Sequence, residues 1–208
     1  ATITGRLVTE AIALYPNAAN WEWSVAIIDD PKTVNAWCMA GGRMAVYTGL
    51  FDKLKLTDAE FAQIMGHEIS HALANHTAER MSRAMATSVG VLAIGIASDK
   101  PMATMAGGAL AAKLALELPN SRTAESEADR IGMELAVRAG YDPDAAVTLW
   151  QKMGALGGSA PPQFLSTHPS PGNREAELAA MIPEMRKLNP TGKLARPTAI
   201  EIIRDVTP

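Results

Sequence analysis

The stretch AQIMGHEISHALANH, residues 62–76, decides how the rest of the chain is interpreted. It contains the order H-E-x-x-H, in which His67 and His71 enclose Glu68. On an α-helix, residues four apart differ by about 40° around the axis and about 6 Å along it, so both imidazoles can bind one ion. Glu68, about 100° from His67, is placed to act on a nearby water as a base. The spacing predicts a metal-dependent hydrolytic site.

The alternative is a helix whose histidines are incidental, and the positions around the helix help to separate the two interpretations. The apolar side chains define a stripe formed by Phe61, Ile64, Met65, Ile69 and Ala72. The pair His67 and His71 lies on the flank of this stripe, where both rings can face an ion. His76, about 140° beyond His71, turns back over the stripe. We therefore expect His76 to be a structural, hydrogen-bonded histidine and not a third ligand.

A catalytic zinc needs three protein ligands and an open position, so a further ligand must come from another segment. SRTAESEADRIG, residues 121–132, has Glu125 and Asp129 four apart on one helix face, with Glu127 pointing nearly opposite. One carboxylate can bind the metal while Asp129 orients a ligand histidine. Acidic pairs at this spacing are usually solvated surface groups. The position downstream of H-E-x-x-H is what favours a role at the site.

The first half of the chain predicts one helix and two strands ahead of the histidine helix. Residues 1–15 have apolar side chains at helical spacing, and WSVAIIDD, residues 23–30, alternates as a half-buried strand does. A second strand, RMAVYTG at 43–49, follows the pair Gly41–Gly42. A tight hairpin and a contact with substrate are two open interpretations of that pair. Thr57, in the capping box T-x-x-E, begins the histidine helix.

The second half predicts further helices and one long loop. Residues 81–97 and 102–118 form a helical hairpin, for which close packing and contact with a membrane surface are the alternatives. Ser121 begins a helix that ends at Gly140, and Asp142–Pro143 begins the next. Residues 157–172, rich in Gly and Pro, form a candidate functional loop. Ser170–Pro171 begins a last helix that ends near Leu188, and no pattern follows from Asn189.

Composition limits the classes of protein that this chain can belong to. Its 208 residues allow one large domain or two small ones, and 48% apolar residues can build a core. The net charge of −3 argues against a nucleic-acid partner. Cys38 is the single cysteine, which excludes an intrachain disulfide and a cysteine zinc cluster. The most apolar run, residues 89–97, has about half the length of a membrane helix.

Three motifs in combination resemble one family: HEISH, SRTAESEAD and STHPSPGNR, the last at 166–174. This is the zinc metallopeptidase family that includes HtpX, BepA and the CAAX prenyl proteases. NAWCMAGGRMAVYTGL, residues 35–50, is similar to the strand region of the soluble periplasmic branch near BepA. The resemblance implies an α+β, mostly helical fold of the zincin (gluzincin) type, with a small β-sheet beside the active-site helix. It covers residues 1–188, which we expect to form the peptidase domain, with residues 189–208 as a tail packed on or extending from it.

The resemblance also implies a role for each matching residue. His67, His71 and Glu125 correspond to the ligands of one zinc ion, Glu68 to the catalytic glutamate, and Asp129 to the acidic residue that supports the site.

Two further residues of the third motif match the family. His168 corresponds to a histidine that approaches the metal at rest or stabilises the reacting centre; an ordinary loop histidine is the alternative. Arg174 corresponds to an arginine that either binds the substrate oxyanion or fixes the loop through a salt bridge.

The function implied is zinc-dependent endopeptidase activity, with a zinc-activated water and Glu68 as the general base. Unfolded or extended polypeptides are the expected substrates, and an extended substrate would add to a sheet edge formed by Met44 to Tyr47. The resemblance implies protein quality control in the envelope and a periplasmic location, with association with a membrane left open. A zinc-containing chaperone or binding scaffold with weak or latent proteolysis is the alternative function. A different metal hydrolase on the same motif is a third.

Overall fold

The computed structural model describes residues 1–75, 121–156, 162–169 and 172–206. In these ranges the fold is mostly helical with a small mixed sheet, as predicted. The helices are α1 Thr2–Leu14, α2 Thr48–Leu54, α3 Asp58–Leu73, α4 Arg122–Arg138, α5 Asp144–Ala155, α6 Gln163–Thr167 and α7 Arg174–Arg186. The strands are β1 Ser24–Ile28, β2 Ala36–Cys38, β3 Arg43–Tyr47 and β4 Glu201–Val206. His76 and the predicted hairpin at 81–118 lie outside the described residues.

The four strands lie in the order β2-β3-β1-β4. β1 pairs in parallel with both β3 and β4, whereas β2 and β3 are antiparallel. Gly41 and Gly42 join β2 to β3 with φ angles of 95° and 92°, so the pair forms a hairpin turn, one of the two interpretations of this pair. Neither β2 nor β4 is predicted from the sequence, and β4 lies in the segment after Asn189, which has no clear pattern.

The predicted sheet edge at Met44 to Tyr47 is wrong. These residues belong to β3, which has β2 on one side and β1 on the other, so both of its hydrogen-bonding edges are occupied. Among the described strands the two edges of the sheet are β2 and β4. A substrate strand cannot therefore pair with β3 in this fold.

The predicted capping box begins α3. The amide of Glu60 donates to Thr57 Oγ1 at 3.2 Å, and the amide of Thr57 donates to Glu60 Oε2 at 2.8 Å. The helix is buried from Ala62 to Leu73 and not along a single stripe, because α1, β2, α4 and α5 all pack against it. The H-E-x-x-H motif is therefore carried by the central helix of the domain.

The helix boundaries follow the predicted signals with small displacements. Ser121 Oγ accepts a hydrogen bond from the amide of Ala124 at 3.1 Å and so caps α4. Gly140, with φ of 99°, follows the end of that helix. α5 begins at Asp144, where the amide donates to Asp142 Oδ1 at 3.1 Å.

The predicted loop at 157–172 contains the short helix α6, so it is not wholly irregular. The last helix, α7, begins at Arg174 and not at Ser170, and it ends at Arg186, two residues short of Leu188. None of the helices within the described ranges is long and apolar enough to span a membrane.

Two glycines bring α3 and α4 into backbone contact. A Cβ built on Gly66 would lie 2.7 Å from the carbonyl oxygen of Gly132, and one built on Gly132 would lie 2.7 Å from the His67 nitrogen. No larger residue fits at either position without moving a helix. This close approach places the first turns of α4, which carry Glu125 and Asp129, beside the histidines of α3.

Candidate metal centre

Three side chains from α3 and α4 converge on one point. The Nε2 atoms of His67 and His71 lie 3.0 Å apart. The carboxylate of Glu125 approaches both rings, with Oε2 at 3.2 Å from His67 Nε2 and Oε1 at 3.1 Å from His71 Nε2. Each of the three residues is buried. The structure thus brings together the three residues expected to bind metal.

His168, at the end of α6, contributes a fourth nitrogen. Its Nδ1 lies 3.2 Å from His67 Nε2 and 3.0 Å from Glu125 Oε1. One ligand atom from each of the four residues lies within 4.8 Å of the others. At the corners of a tetrahedron around zinc, ligand atoms 2.0–2.1 Å from the ion are about 3.3 Å apart. For five of the six residue pairs the closest separations are 3.0–3.2 Å, which fits an ion of that size.

Asp129 binds the opposite side of the His67 ring. Its Oδ1 lies 2.9 Å from His67 Nδ1, so the carboxylate can accept a hydrogen bond from the Nδ1–H group. With the proton on Nδ1, the lone pair of Nε2 faces the convergence point, which is the tautomer that a metal ligand requires. Glu127, in contrast, is exposed, as its predicted opposite direction on α4 requires.

The Glu68 carboxylate lies beside the four ligand atoms without joining them. Its Oε1 is 3.3 Å from His168 Nε2, yet the contact lacks hydrogen-bond geometry. Among the described residues, this buried oxygen has no hydrogen-bond partner. An unpartnered buried carboxylate oxygen is costly, and it is available to a water or a substrate group.

Comparison with known proteins gives the family of the chain. Residues 4–182 match the model of peptidase family M48. The chain belongs to peptidase family M48. Because HtpX and BepA are members of the same zinc metallopeptidase family, the predicted resemblance is confirmed.

Several curated M48 relatives align over most of the chain. The mitochondrial metalloendopeptidase OMA1 of Arabidopsis thaliana is 40% identical over 159 residues, which are 76% of this chain and 31% of the relative. The mitochondrial metalloendopeptidase OMA1 of Bos taurus is 34% identical over 188 residues, 85% of this chain and 35% of the relative. The beta-barrel assembly-enhancing protease of Escherichia coli K12 is 35% identical over 164 residues, 74% of this chain and 34% of the relative. The chain spans about a third of the length of these three relatives.

The pKa values at the M48 site favour ionised carboxylates around His67, the histidine that binds a proton most strongly. Burial lowers the pKa of His67, but the carboxylates of Glu125 and Asp129 outweigh burial and raise it to about 9. Burial lowers the pKa of His71 to about 3, so that ring is neutral. Burial opposes ionisation of Glu125 and Asp129, yet the neighbouring His67 holds the pKa of each below its usual range. The site therefore favours a cation between its ligand atoms.

The pKa of Glu68 shifts in the opposite direction from the pKa values of Glu125 and Asp129, because burial dominates. Burial raises the pKa of this carboxyl above its usual value, and the nearby His168 and His67 only partly oppose the shift. A carboxyl group with a raised pKa is a better proton acceptor than a surface glutamate, as a general base at neutral pH requires.

Arg174 lies behind the ligand atoms, at the start of α7. Its Nη2 donates to Asp129 Oδ1 at 2.6 Å and to Glu125 Oε2 at 3.1 Å. Only 2% of the residue is exposed. Of the two roles considered for this arginine, oxyanion binding and a structural salt bridge, these contacts correspond to the salt bridge.

Two aromatic residues complete the M48 site. The Trp150 ring lies 3.5 Å from the Arg174 guanidinium carbon, and the Phe164 ring is stacked on His168 with centroids 4.4 Å apart. Neither residue is predicted from the sequence to belong to the site. Each is one apolar residue among many, and no motif spacing identifies it.

Proposed function

We propose that this M48 domain is a zinc-dependent endopeptidase in which His67, His71 and Glu125 bind the zinc ion. The observation that carries the proposal is the convergence of the buried ligand atoms within 4.8 Å, beside the unpartnered Oε1 of Glu68. Zinc, when bound, polarises the scissile carbonyl and lowers the pKa of water to about 7. The remaining steps belong to residues of the chain.

Glu68 is the general base. Its Oε1 takes a proton from the attacking water and later passes it to the leaving amine nitrogen. Burial suits the group to both steps, because it raises the pKa from its usual acidic value toward the working pH, where a carboxyl can take up a proton and give it back. Oε1 has no hydrogen-bond partner among the described residues, and it would take the proton of the water once His168, whose Nε2 lies 3.3 Å away, has moved aside.

Arg174 stabilises the ligand set and does not bind the substrate oxyanion. Glu68, Glu125 and Asp129 carry three formal negative charges, and Arg174 carries one positive charge. A divalent cation brings the sum to zero, which a buried site requires. The guanidinium, almost inaccessible to solvent, already donates to Asp129 and Glu125.

His168 closes the site at rest. Its Nδ1 lies among the ligand atoms at 3.0 Å from Glu125 Oε1, where it would be a fourth ligand of a bound zinc and would exclude water and substrate. Substrate access therefore requires His168 to move away. We expect His168→Ala to raise basal cleavage of casein while leaving zinc content unchanged; lower cleavage with full zinc would instead assign His168 to stabilising the reacting centre.

An extended substrate adds to the outer edge of β2. Trp37 of β2 and Ala45 of β3 form a hydrogen-bonded pair, so the main-chain groups of Ala36 and Cys38 face away from β3. The amide of Ala36 donates to Asn35 Oδ1 at 3.0 Å, so a substrate would pair with the remaining main-chain groups of this edge. At one end of this edge, Val34 O accepts a hydrogen bond from Phe164 N at 3.1 Å.

The edge of β2 also adjoins the catalytic carboxylate. Burial raises the pKa of the Cys38 thiol, and the nearby Glu68 carboxylate raises it further. A peptide that pairs with β2 through main-chain hydrogen bonds would thus pass the site, with little dependence on its side chains.

The biological role that we propose is protein quality control in the cell envelope, in the periplasm. The similarity to the beta-barrel assembly-enhancing protease of Escherichia coli supports this role. Relatives named as mitochondrial metalloendopeptidases indicate that the same domain also serves in that organelle.

The test is zinc analysis combined with digestion of unfolded casein, with and without a chelator. Glu68→Gln should keep one zinc per chain and lose cleavage by at least about 100-fold, the range that a positioned general base contributes. Glu177→Gln, at an exposed glutamate of α7, is the matched control and should cleave normally. Full activity of Glu68→Gln would reject the general base. Zinc binding without chelator-sensitive cleavage by the wild-type chain would favour the scaffold alternative.

A further inference from the structure

We propose that Trp150 is a positioning residue for the zinc site, which it controls through Arg174. The inference rests on the proposed function, because it assigns to the Trp150 ring the task of fixing two zinc-site carboxylates. Trp150 lies on α5, outside the three motifs that identify the family.

The indole ring and the guanidinium form a stacked pair inside the protein. The Arg174 Cζ atom lies 3.5 Å from the Trp150 ring centroid, and the two residues are 2% and 8% exposed. The His67 ring approaches the same indole in an edge-on arrangement, with centroids 6.3 Å apart. A cation over an indole face is most strongly stabilised when both groups are removed from water, as they are here.

The hydrogen bonds of Arg174 do not fix the guanidinium by themselves. Nη2 donates to Asp129 and Glu125, and Nη1 reaches His168 O at 3.4 Å, but Nε has no partner among the described residues. Hydrogen bonds from a guanidinium lie in its plane, so they resist movement across the plane poorly. The indole face supplies the contact in that direction and also offsets the cost of the unpartnered Nε.

The position of Arg174 determines two parts of the ligand set at once. One nitrogen, Nη2, donates hydrogen bonds to Glu125, a proposed zinc ligand, and to Asp129. Asp129 in turn orients the His67 ring. Zinc sites tolerate deviations of about 0.2 Å in ligand distances. A guanidinium that shifts without its aromatic support would move both carboxylates together. The expected result is weaker zinc binding, with the chemistry of Glu68 unaffected.

The test compares zinc affinities of the full chain, measured by competition with a chromophoric chelator. Trp150→Leu should weaken zinc binding about tenfold, within the range found when a partner of a metal ligand is removed. Trp150→Phe, which keeps an aromatic face, should recover most of that loss. Trp21→Leu, at a tryptophan whose ring lies tilted against Trp23 with centroids 5.3 Å apart, is the control and should bind zinc as the wild type does.

Two further readouts separate positioning from a general loss of structure. Casein cleavage by Trp150→Leu should return to the wild-type rate when zinc is in excess, since only binding is affected. In an Arg174→Gln background, Trp150→Leu should add little to the loss of affinity, because the residue through which it acts is gone.

Unchanged zinc affinity in Trp150→Leu would overturn the inference, as would an equal loss in both backgrounds or a rate that excess zinc does not restore. A wild-type chain that binds no zinc would instead overturn the proposed function.

Discussion

A single methyl group at Gly132 should test whether helix contact sets the metal geometry. In Gly132→Ala, the new Cβ would lie 2.7 Å from the His67 nitrogen and 2.9 Å from His67 Cα and the Gly66 carbonyl carbon. Ordinary contact begins at 3.4 Å, so α3 and α4 must separate by about 0.7 Å. That movement exceeds the tolerance of about 0.2 Å in zinc–ligand distances.

Gly132→Ala should reduce both the stability of the chain and its affinity for zinc. Overpacking of this kind costs about 1–3 kcal/mol of unfolding free energy, which urea denaturation in the presence of a chelator would measure. Zinc affinity should fall at least tenfold, because Glu125 moves away from His67 with its helix. Chelator competition measures this second loss.

The matched control is Gly154→Ala, on α5, where a Cβ would meet nothing within 4 Å. This variant should keep wild-type zinc affinity and gain up to about 1 kcal/mol from better helix propensity. Zinc affinity of Gly132→Ala within twofold of the wild type would refute the reasoning, since the helices would then have separated without moving the ligands.

Two predictions concern protons. Because the pKa of His67 is raised to about 9, the ring carries a proton at pH 7.5 that zinc must displace. Zinc binding should therefore release about one proton, and the zinc affinity should increase as pH rises toward 9. Calorimetry in buffers of different ionisation enthalpy measures the number of protons released, and a value of zero would contradict the prediction. Burial raises the pKa of Glu60, but the bonds from Lys152 and from the Thr57 amide outweigh it and lower the pKa below its usual value. The stability that ionised Glu60 contributes is thus present above its unfolded pKa of about 4.3 and is lost as pH falls through the lower folded pKa. Glu60→Gln should therefore cost about 1 kcal/mol at pH 7 and much less at pH 3 in urea denaturation, and an equal cost at both values would contradict the assignment.

The sequence predicted the features that depend on local chemistry. The capping box at Thr57 and the Ser121 cap each follow from a side chain that satisfies amides within its own first turn. The H-E-x-x-H spacing likewise requires only one helix. Glu125 could be predicted because its motif, SRTAESEAD, was recognised together with H-E-x-x-H. The sequence alone does not show how the two helices pack.

The features that failed depend on contacts between distant segments. β2 has three residues, too few for an alternating pattern, and without it β3 was mistaken for an edge. β4 forms because it pairs with β1, far away in sequence. In β1, strict alternation predicted that Ile27 is buried, whereas Ile27 is half-buried and Ile28 is buried.

The central claim is that His67, His71 and Glu125 bind one zinc ion, and anomalous diffraction at the zinc edge from crystals of the zinc-loaded chain tests it most directly. The account predicts one strong peak, about 2.0–2.2 Å from both Nε2 atoms and from a Glu125 oxygen. A peak at another position, or none between the two rings with excess zinc present, would contradict it.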